Sequence, residues 1–595
     1  MASESLVKAG AQLSEVRRPV LSRLFPPAPE APIEGGQALG ERKLPVRAVE
    51  GASDQLGQRH ARAFRFPLEH PVLVVAEHDL RPMGDAVTLQ QYVADMGGSD
   101  RTGAARPLPG LVAGALVFLT SGSVLVLEIL AARLLAPYVG VTLETYTAII
   151  GVVLAGISVG TWAGGRLADA RDPRGTLGPL VAVGGLLALA ALPAIRLLGG
   201  YSLGGRASAV VLAALCFFPA AAVLSAVAPT VVKLQLQSLG STGRVVGRLS
   251  ALGTAGAIVG TFVTGFVLVS ALPTTPIVLA LGVGLVLVGA LLAVVLRRGS
   301  ISGTAAAAIA ALAVAYLVAT ISEPCEVESA YFCARVDQDP ARPSGRILQL
   351  DTLSHSYVDL EDPEYLGFEY TRLVADVAAT VAPAGAPIEA LHIGGGGFTM
   401  PRYIAAMRPR SRSLVLELDP ALVRLARERL GLVPGPDLAV RTGDARLGVR
   451  EPRGRRFHLV VGDAFGGLAV PWHLATREFV EQIERTLRPD GVYVLNAIDY
   501  PPLGFVRAEA ATLARTFRHV ALIAPPERVR GDEGGNFVLV ASNRQLALDV
   551  IRRRIANRLD TDSVVAGAEY DDFAAGAPEL TDEYAPVDQL LTPAR

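Results

Sequence analysis

The sequence predicts two unlike parts on one chain: a multi-pass α-helical membrane domain, then an α/β domain with a doubly wound parallel sheet, preceded by a small β-structure. Three observations predict it. Apolar runs of spanning length crowd between Leu108 and Ile321, in a chain that is 51% hydrophobic, only 19% charged and has mean hydropathy +0.40. Strand-length and helix-length patterns alternate from Ile388 onward. Four glycines, Gly394 to Gly397, run straight out of an apolar strand into a helix. At 595 residues several domains are expected. The boundaries read as an arm over 1–107, the membrane domain over 108–321, the small β-structure and a connecting helix over 322–383, and the α/β domain over 384–595.

Composition also excludes some functions. A net charge of −1 and a pI near 6.7 leave no global basic field for nucleic acid. The three cysteines, Cys216, Cys325 and Cys333, have no paired CxxC pattern that would make a structural zinc site.

Taken in order, residues 1–107 are rich in Pro, Gly, Ala, Arg and Glu, without a signal-peptide apolar core. Pro71–Ala76 reads as one strand and Val87–Ala94 as a helical turn or two. The expectation is a disordered cytoplasmic arm, or an over-long start ahead of Met96. Seven spanning helices follow, at about 110–132, 145–165, 177–198, 207–229, 250–271, 275–296 and 304–321. Small-residue steps at Gly151, Gly156 and Gly160, and at Gly253, Gly256 and Gly260, predict close helix approach. Glu128 and Arg133, late in the first helix, read as a structural pair or a snorkelling contact, with a functional intramembrane acid as the alternative. The loop Gly164–Arg174 resembles the short basic loop of major-facilitator transporters, but seven helices fall short of that class.

Beyond Ile321, Val327–Val336, Arg346–Asp351 and His355–Leu360 read as strands and Phe368–Val381 as a helix. Strands Ile388–Ile393, Leu414–Leu418, Leu438–Thr442, Phe457–Gly462 and Val492–Asn496 then alternate with helices that include Thr476–Leu487 and Val506–Thr516. His519–Ala524 and Asn536–Ala541 read as an antiparallel hairpin at the sheet edge, and Val550–Leu559 as a basic helix.

The candidate site lies at strand C-termini, where open α/β sheets bind ligands. Gly394, Gly395, Gly396 and Gly397 let backbone approach a nucleoside closely. Glu417, ending the second strand, accepts from a ribose diol, and Asp444 after the third accepts from an adenine amino group. Asp463, after the fourth, holds an amine or takes its proton.

These residues sit in HIGGGG, VLELD, TGDAR and VVGDAF. With HLATREFVEQIERTLRPDGVYVLN and the closing TDEYAPVDQL, they make the chain from Ser121 to Pro586 resemble the membrane-fused bacterial branch of the spermidine synthase (polyamine aminopropyltransferase) family. The resemblance implies a Rossmann-like sheet of the class I S-adenosylmethionine-dependent methyltransferase type. It also implies nucleoside contacts at Glu417, Asp444 and Ala445, proton acceptance by Asp463, and a substrate-binding tyrosine at Tyr370. His355 stands where the family carries a donor-binding glutamine. Three positions depart from the family: Gly397 replaces an aspartate, Ala464–Gly466 lack a second acid after Asp463, and Thr371 and Arg372 replace an acid after the tyrosine. The nucleoside half of the site therefore matches better than the amine half.

The expected activity is transfer of a group from decarboxylated S-adenosylmethionine or S-adenosylmethionine, as co-substrate, to an amine, with no tightly bound cofactor and no metal. The expected partners are the small-molecule amine, the lipid bilayer and, as an option, a second copy in a homodimer. The alternatives are a methyltransferase acting on a membrane or exported substrate, a transporter with a degenerate nucleoside-binding domain, and a non-catalytic scaffold.

Two arguments about sidedness oppose each other. Arg101, Arg106, Arg166, Arg171, Arg174, Lys233, Arg244, Arg248, Arg297 and Arg298 flank alternate ends of the helices, which places the N-terminus in the cytoplasm. Seven crossings then put Ser322 onward outside, where Cys325 and Cys333 can form a disulfide. The cytoplasmic supply of the donor points the other way, and a re-entrant segment 304–321 would reconcile the two.

Overall fold

The computed structural model describes residues 108–595 except 202–205, 237, 298–300, 451–455 and 593–595. The expectations for the N-terminal arm, including Pro71–Ala76 and Val87–Ala94, lie outside the described residues.

The apolar region forms helices α1 (Gly110–Val139), α2 (Leu143–Ala170), α3 (Pro173–Leu198), α4 (Arg206–Cys216), α5 (Phe218–Ser225), α6 (Val227–Gln235), α7 (Thr242–Val263), α8 (Thr274–Arg297) and α9 (Ile301–Thr320). A π-turn, Thr264–Leu268, continues α7 to Ala271. Among the described residues six helical stretches are long and apolar enough to cross a membrane, with a shorter apolar stretch at Ile309–Val318 in α9. The fourth expected helix is three pieces. Pro219 and Pro229 lack the N–H that would continue the ladder, and the backbone breaks at Phe217 and Ala226.

Contacts fix which helix ends lie together. Gln235 Nε2 donates to the Leu108 carbonyl at 2.7 Å and Lys233 pairs with Asp169 at 2.7 Å, at one end of the bundle. At the other end Arg196 donates to the Val318 and Ile321 carbonyls (2.6 and 3.0 Å) and pairs with Glu323 at 2.8 Å. The chain therefore enters at one end and leaves α9 at the opposite end, with no re-entrant turn there.

Close approach occurs along both small-residue steps. A Cβ on Gly160 would lie 2.0 Å from the Ala222 carbonyl oxygen, and one on Gly256 2.1 Å from that of Phe118. Gly151 instead faces open space. Of the two readings for Arg133, a pair with Glu128 or a snorkelling contact, the structure shows no pair with Glu128. Arg133 reaches Glu328 at 3.3 Å and donates to the Ala330 carbonyl at 2.7 Å, beyond the bundle.

The small β-structure is a four-stranded antiparallel sheet, β1 (Val327–Glu328), β2 (Cys333–Gln338), β3 (Gly345–Leu350) and β4 (Leu353–Asp359), in order β1-β2-β3-β4. The expected single strand 327–336 is thus a hairpin. Ser329 Oγ accepts from the Tyr331 and Phe332 amides at 3.0 Å, which turns the chain back, and a Cys325–Cys333 disulfide closes it.

The chain continues through α10 (Glu369–Ala378), β5 (Glu389–Ile393), α11 (Thr399–Met407), β6 (Arg412–Glu417), α12 (Pro420–Arg429), β7 (Leu438–Thr442), α13 (Ala445–Gly448), β8 (Phe457–Gly462), α14 (Arg477–Thr486), β9 (Leu487–Asp499) and α15 (Gly504–Thr516). It ends with β10 (His519–Ala524), α16 (Pro526–Arg530), β11 (Gly535–Ser542), α17 (Leu548–Asn557), β12 (Ser563–Ala566), α18 (Ala568–Ala574) and α19 (Val587–Leu590). The sheet order is β12-β10-β11-β9-β8-β5-β6-β7. β7, β6, β5, β8 and β9 are parallel; β5, β6, β8 and β9 are buried on both faces, which is why they read as apolar runs, whereas β7 at the edge is only half-buried and ends in the exposed Arg441 and Thr442. The β10–β11 hairpin does not form the edge. β12 pairs antiparallel with β10 and covers it, a strand supplied by the tail.

Candidate active site

Three crossovers bring the C-terminal ends of β5, β6 and β8 together, and backbone bonds lock them. Gly394 N donates to the Leu416 carbonyl at 2.9 Å and Asp463 N to the Ile393 carbonyl at 2.8 Å. Gly394 has φ +90°, and a Cβ there would lie 2.1 Å from the Asp463 carbonyl oxygen, so only glycine fits. Above these ends opens a cavity of about 570 Å³.

Of the residues singled out from sequence, Gly394, Gly396, Glu417, Asp444, Ala445, His355, Tyr370 and Asp463 line this cavity. Gly395 and Gly397 do not. The Gly395 amide is spent on Glu417, and the Gly397 amide donates to Ser356 Oγ at 2.9 Å on β4. A Cβ on Gly397 would come within 2.8 Å of Ser356 and Val358, so the β4 wall excludes a side chain there.

Glu417 Oε2 accepts from Gly395 N at 2.7 Å and Gly396 N at 3.3 Å, and Oε1 from Asp419 N at 2.9 Å. Burial raises its pKa, and the three backbone donors pull against that. Asp444 caps α13 through the Arg446 amide at 2.7 Å and faces His473 Nε2 at 3.5 Å. At the other end Asp463 Oδ2 accepts from the Tyr370 hydroxyl at 3.0 Å and Oδ1 from Asn496 Nδ2 at 2.9 Å. Asn496 Oδ1 in turn accepts from Asn536 Nδ2 at 2.9 Å. Burial raises the Asp463 pKa, although both hydrogen bonds lower it. Burial, and then the Asp463 charge, push the Tyr370 phenol up, so Tyr370 stays a donor. Burial alone holds His355 down at about 4, an uncharged ring.

Sequence reasoning missed Asn496, Asn536 and His473 as site residues. The strands VYVLN and NFVLV do carry the first two at their sheet-top ends, a signal visible only once β9 and β11 are known to be neighbours. The cavity also carries a one-sided charge. Glu369, Glu417, Asp419, Asp444 and Asp463 line it, and among the described residues no lysine or arginine does.

Counted along the chain, β5, β6, β7, β8, β9, β10 and β11 form a 3-2-1-4-5-7-6 sheet with its seventh strand antiparallel, and the acids stand at its C-terminal edge. That is a Rossmann-like strand order of the kind expected from the sequence, and the C-terminal edge is where open α/β sheets place ligands. Sequence comparison narrows the class. The chain is 31% identical over 157 residues to the polyamine aminopropyltransferase of Vibrio vulnificus (26% of this chain, 50% of that protein). It is 30% identical over 142 residues to that of Chromobacterium violaceum (24% and 53%). A crystal structure of a probable spermidine synthase from Corynebacterium glutamicum aligns at 29% identity and TM-score 0.40, covering 44% of this chain and 96% of that one. The chain spans about half the length of the curated relatives it matches, and no protein-family model matches it. The chain is thus similar, over about a quarter of its length, to polyamine aminopropyltransferases.

Proposed function

We propose that the chain is a membrane-bound, aminopropyltransferase-like enzyme that moves a group from a nucleoside sulfonium, decarboxylated S-adenosylmethionine, to an amine. The observation that carries this reading is Asp463. It is a buried carboxylate of raised proton affinity, held by Tyr370 and Asn496 in the same cavity as the Gly394–Gly396 loop, Glu417 and Asp444. In this reading Glu417 and the loop hold the ribose, Asp444 and Ala445 meet the adenine, and Asp463 and Tyr370 hold the acceptor amine. The amine nitrogen attacks the carbon beside the sulfonium, the C–S pair goes to sulfur, and Asp463 takes the amine proton. Alignment and deprotonation suffice for such a transfer. Among the described residues that line the cavity there are five acids and no lysine or arginine, with only Glu369 paired to an arginine behind the wall, Arg528; this balance suits a cationic donor lacking a carboxylate, which favours aminopropyl over methyl transfer.

The test is turnover of the purified full-length chain with either donor and a panel of amines, read as thioether nucleoside by mass spectrometry. Asp463→Asn is expected to bind the nucleoside in calorimetry and not turn over. Methyl transfer from S-adenosylmethionine in place of aminopropyl transfer would overturn the reading.

The bundle supports a membrane location. Its chain entry and exit lie at opposite ends, and with the basic loops at the entry end the α/β domain falls on the non-cytoplasmic side. The Cys325–Cys333 disulfide agrees with that side. In intact cells, an impermeant maleimide is expected to label both cysteines only after reduction. No labelling after reduction would put the domain inside.

A further inference from the structure

The acceptor end of the cavity is built differently from what a short aliphatic diamine needs. Asp463 is its one buried acid. The other acid nearby, Glu369, is already ion-paired with Arg528 at 3.1 Å, and Arg528 also donates to the Asn536 carbonyl at 3.3 Å. A second ammonium would enter beside a guanidinium, and among the described residues that line the cavity no further carboxylate stands at this end to meet it; burying an unpaired cation is costly.

What lines this end instead is apolar. The loop after Asp463 runs Ala464, Phe465, Gly466, Gly467, Leu468. The Phe465 ring stands edge-on to His355 with centroids 6.1 Å apart, and His355 lies 6.2 Å from Phe332. Phe332 and its neighbour Tyr331 sit on the β1–β2 turn, and both line the cavity. Arg133 of α1 holds that turn through the Ser329 and Ala330 carbonyls and Glu328. At 1.5 Å per residue Arg133 lies about 35 Å from the start of α1. That is just past the roughly 30 Å hydrocarbon core that the helix can cross. Three neighbouring rings, Phe332, His355 and Phe465, thus line the cavity between the turn held by Arg133 and the loop that carries Asp463.

We propose that the acceptor is an amphiphilic monoamine, one amino group on an apolar body, which reaches Asp463 along the Phe332–His355–Phe465 track from the bilayer surface. This rests on the transferase reading above and names its substrate class. The chemistry balances as there: an N–C bond forms, the C–S bond breaks with its electron pair on sulfur, and the amine proton goes to Asp463. The apolar body stays on the aromatic wall and takes no part.

The test uses the full-length protein in nanodiscs with decarboxylated S-adenosylmethionine, comparing octylamine with 1,4-diaminobutane through release of 5′-methylthioadenosine. Octylamine is expected to have at least a tenfold higher kcat/KM. Phe465→Asp, which puts a second acid beside Asp463, is expected to shift the ratio at least tenfold toward the diamine. Equal or faster transfer to 1,4-diaminobutane by the unaltered protein overturns the inference, whether or not the variant folds. A folded Phe465→Asp protein with an unchanged ratio also overturns it. If the donor binds but no amine releases the nucleoside, the transferase reading itself falls, and this inference falls with it.

Discussion

The two ends of the cavity are made of different material. At the end proposed to hold the nucleoside, Glu417 and Asp444 are tied to backbone amides of the loops they serve, and Gly394 is wedged against the Asp463 carbonyl. At the end proposed to hold the acceptor, Tyr370, Asp463, Asn496 and Asn536 hold one another through side chains, and aromatic rings form the wall. A backbone-built end is set by strand order and changes little without unfolding something. A side-chain-built end is retuned by single substitutions.

Four measurements can break or sharpen the contrast. The largest effect is expected for Asp463→Asn, with turnover falling about 10²–10⁴-fold and donor affinity held within about twofold. An equal loss of donor binding would mean the two ends are not separable. Next, Glu417→Ala is expected to raise the donor Kd about tenfold or more, from loss of charged hydrogen bonds worth roughly 1.5–3 kcal/mol. Because Glu417 also braces the Gly395, Gly396 and Asp419 amides, its melting temperature should drop too. An unchanged Kd in calorimetry removes Glu417 from the nucleoside end.

The third measurement is a pH profile. Asp463 must be ionised to accept a proton, and burial raises its pKa, so kcat/KM should fall as pH drops through that raised value. The Tyr370 hydrogen bond lowers it, so Tyr370→Phe should move this acid limb to higher pH. A limb that stays put or moves down contradicts the assignment. The smallest effect is expected at the membrane-held wall. Arg133→Gln loosens the Ser329–Phe332 turn and should raise the acceptor KM about two- to tenfold, the scale of one or two hydrogen bonds. The donor Kd should stay unchanged. A change in donor affinity instead would show that the turn serves the nucleoside end.

What could be read from sequence was local. β5, β6, β8 and β9 announce themselves because strands buried on both faces must be apolar throughout. Gly394 stands out because a positive φ against a neighbouring carbonyl admits nothing larger. Glu417, Asp444 and Asp463 were visible because an acid directly after such a run has one place to go, the top of the sheet. Tertiary structure decided everything that depends on a distant partner. Strand order put Asn496 and Asn536 beside Asp463, and β12 on the edge that β10 would otherwise expose. Packing turned Gly395 and Gly397 away from the cavity, and sent Arg133 to Glu328, 195 residues on, in place of Glu128 on its own helix. Periodicity and propensity act over a few residues, whereas hydrogen-bond partners across strands and between helix ends are chosen only when the whole chain packs.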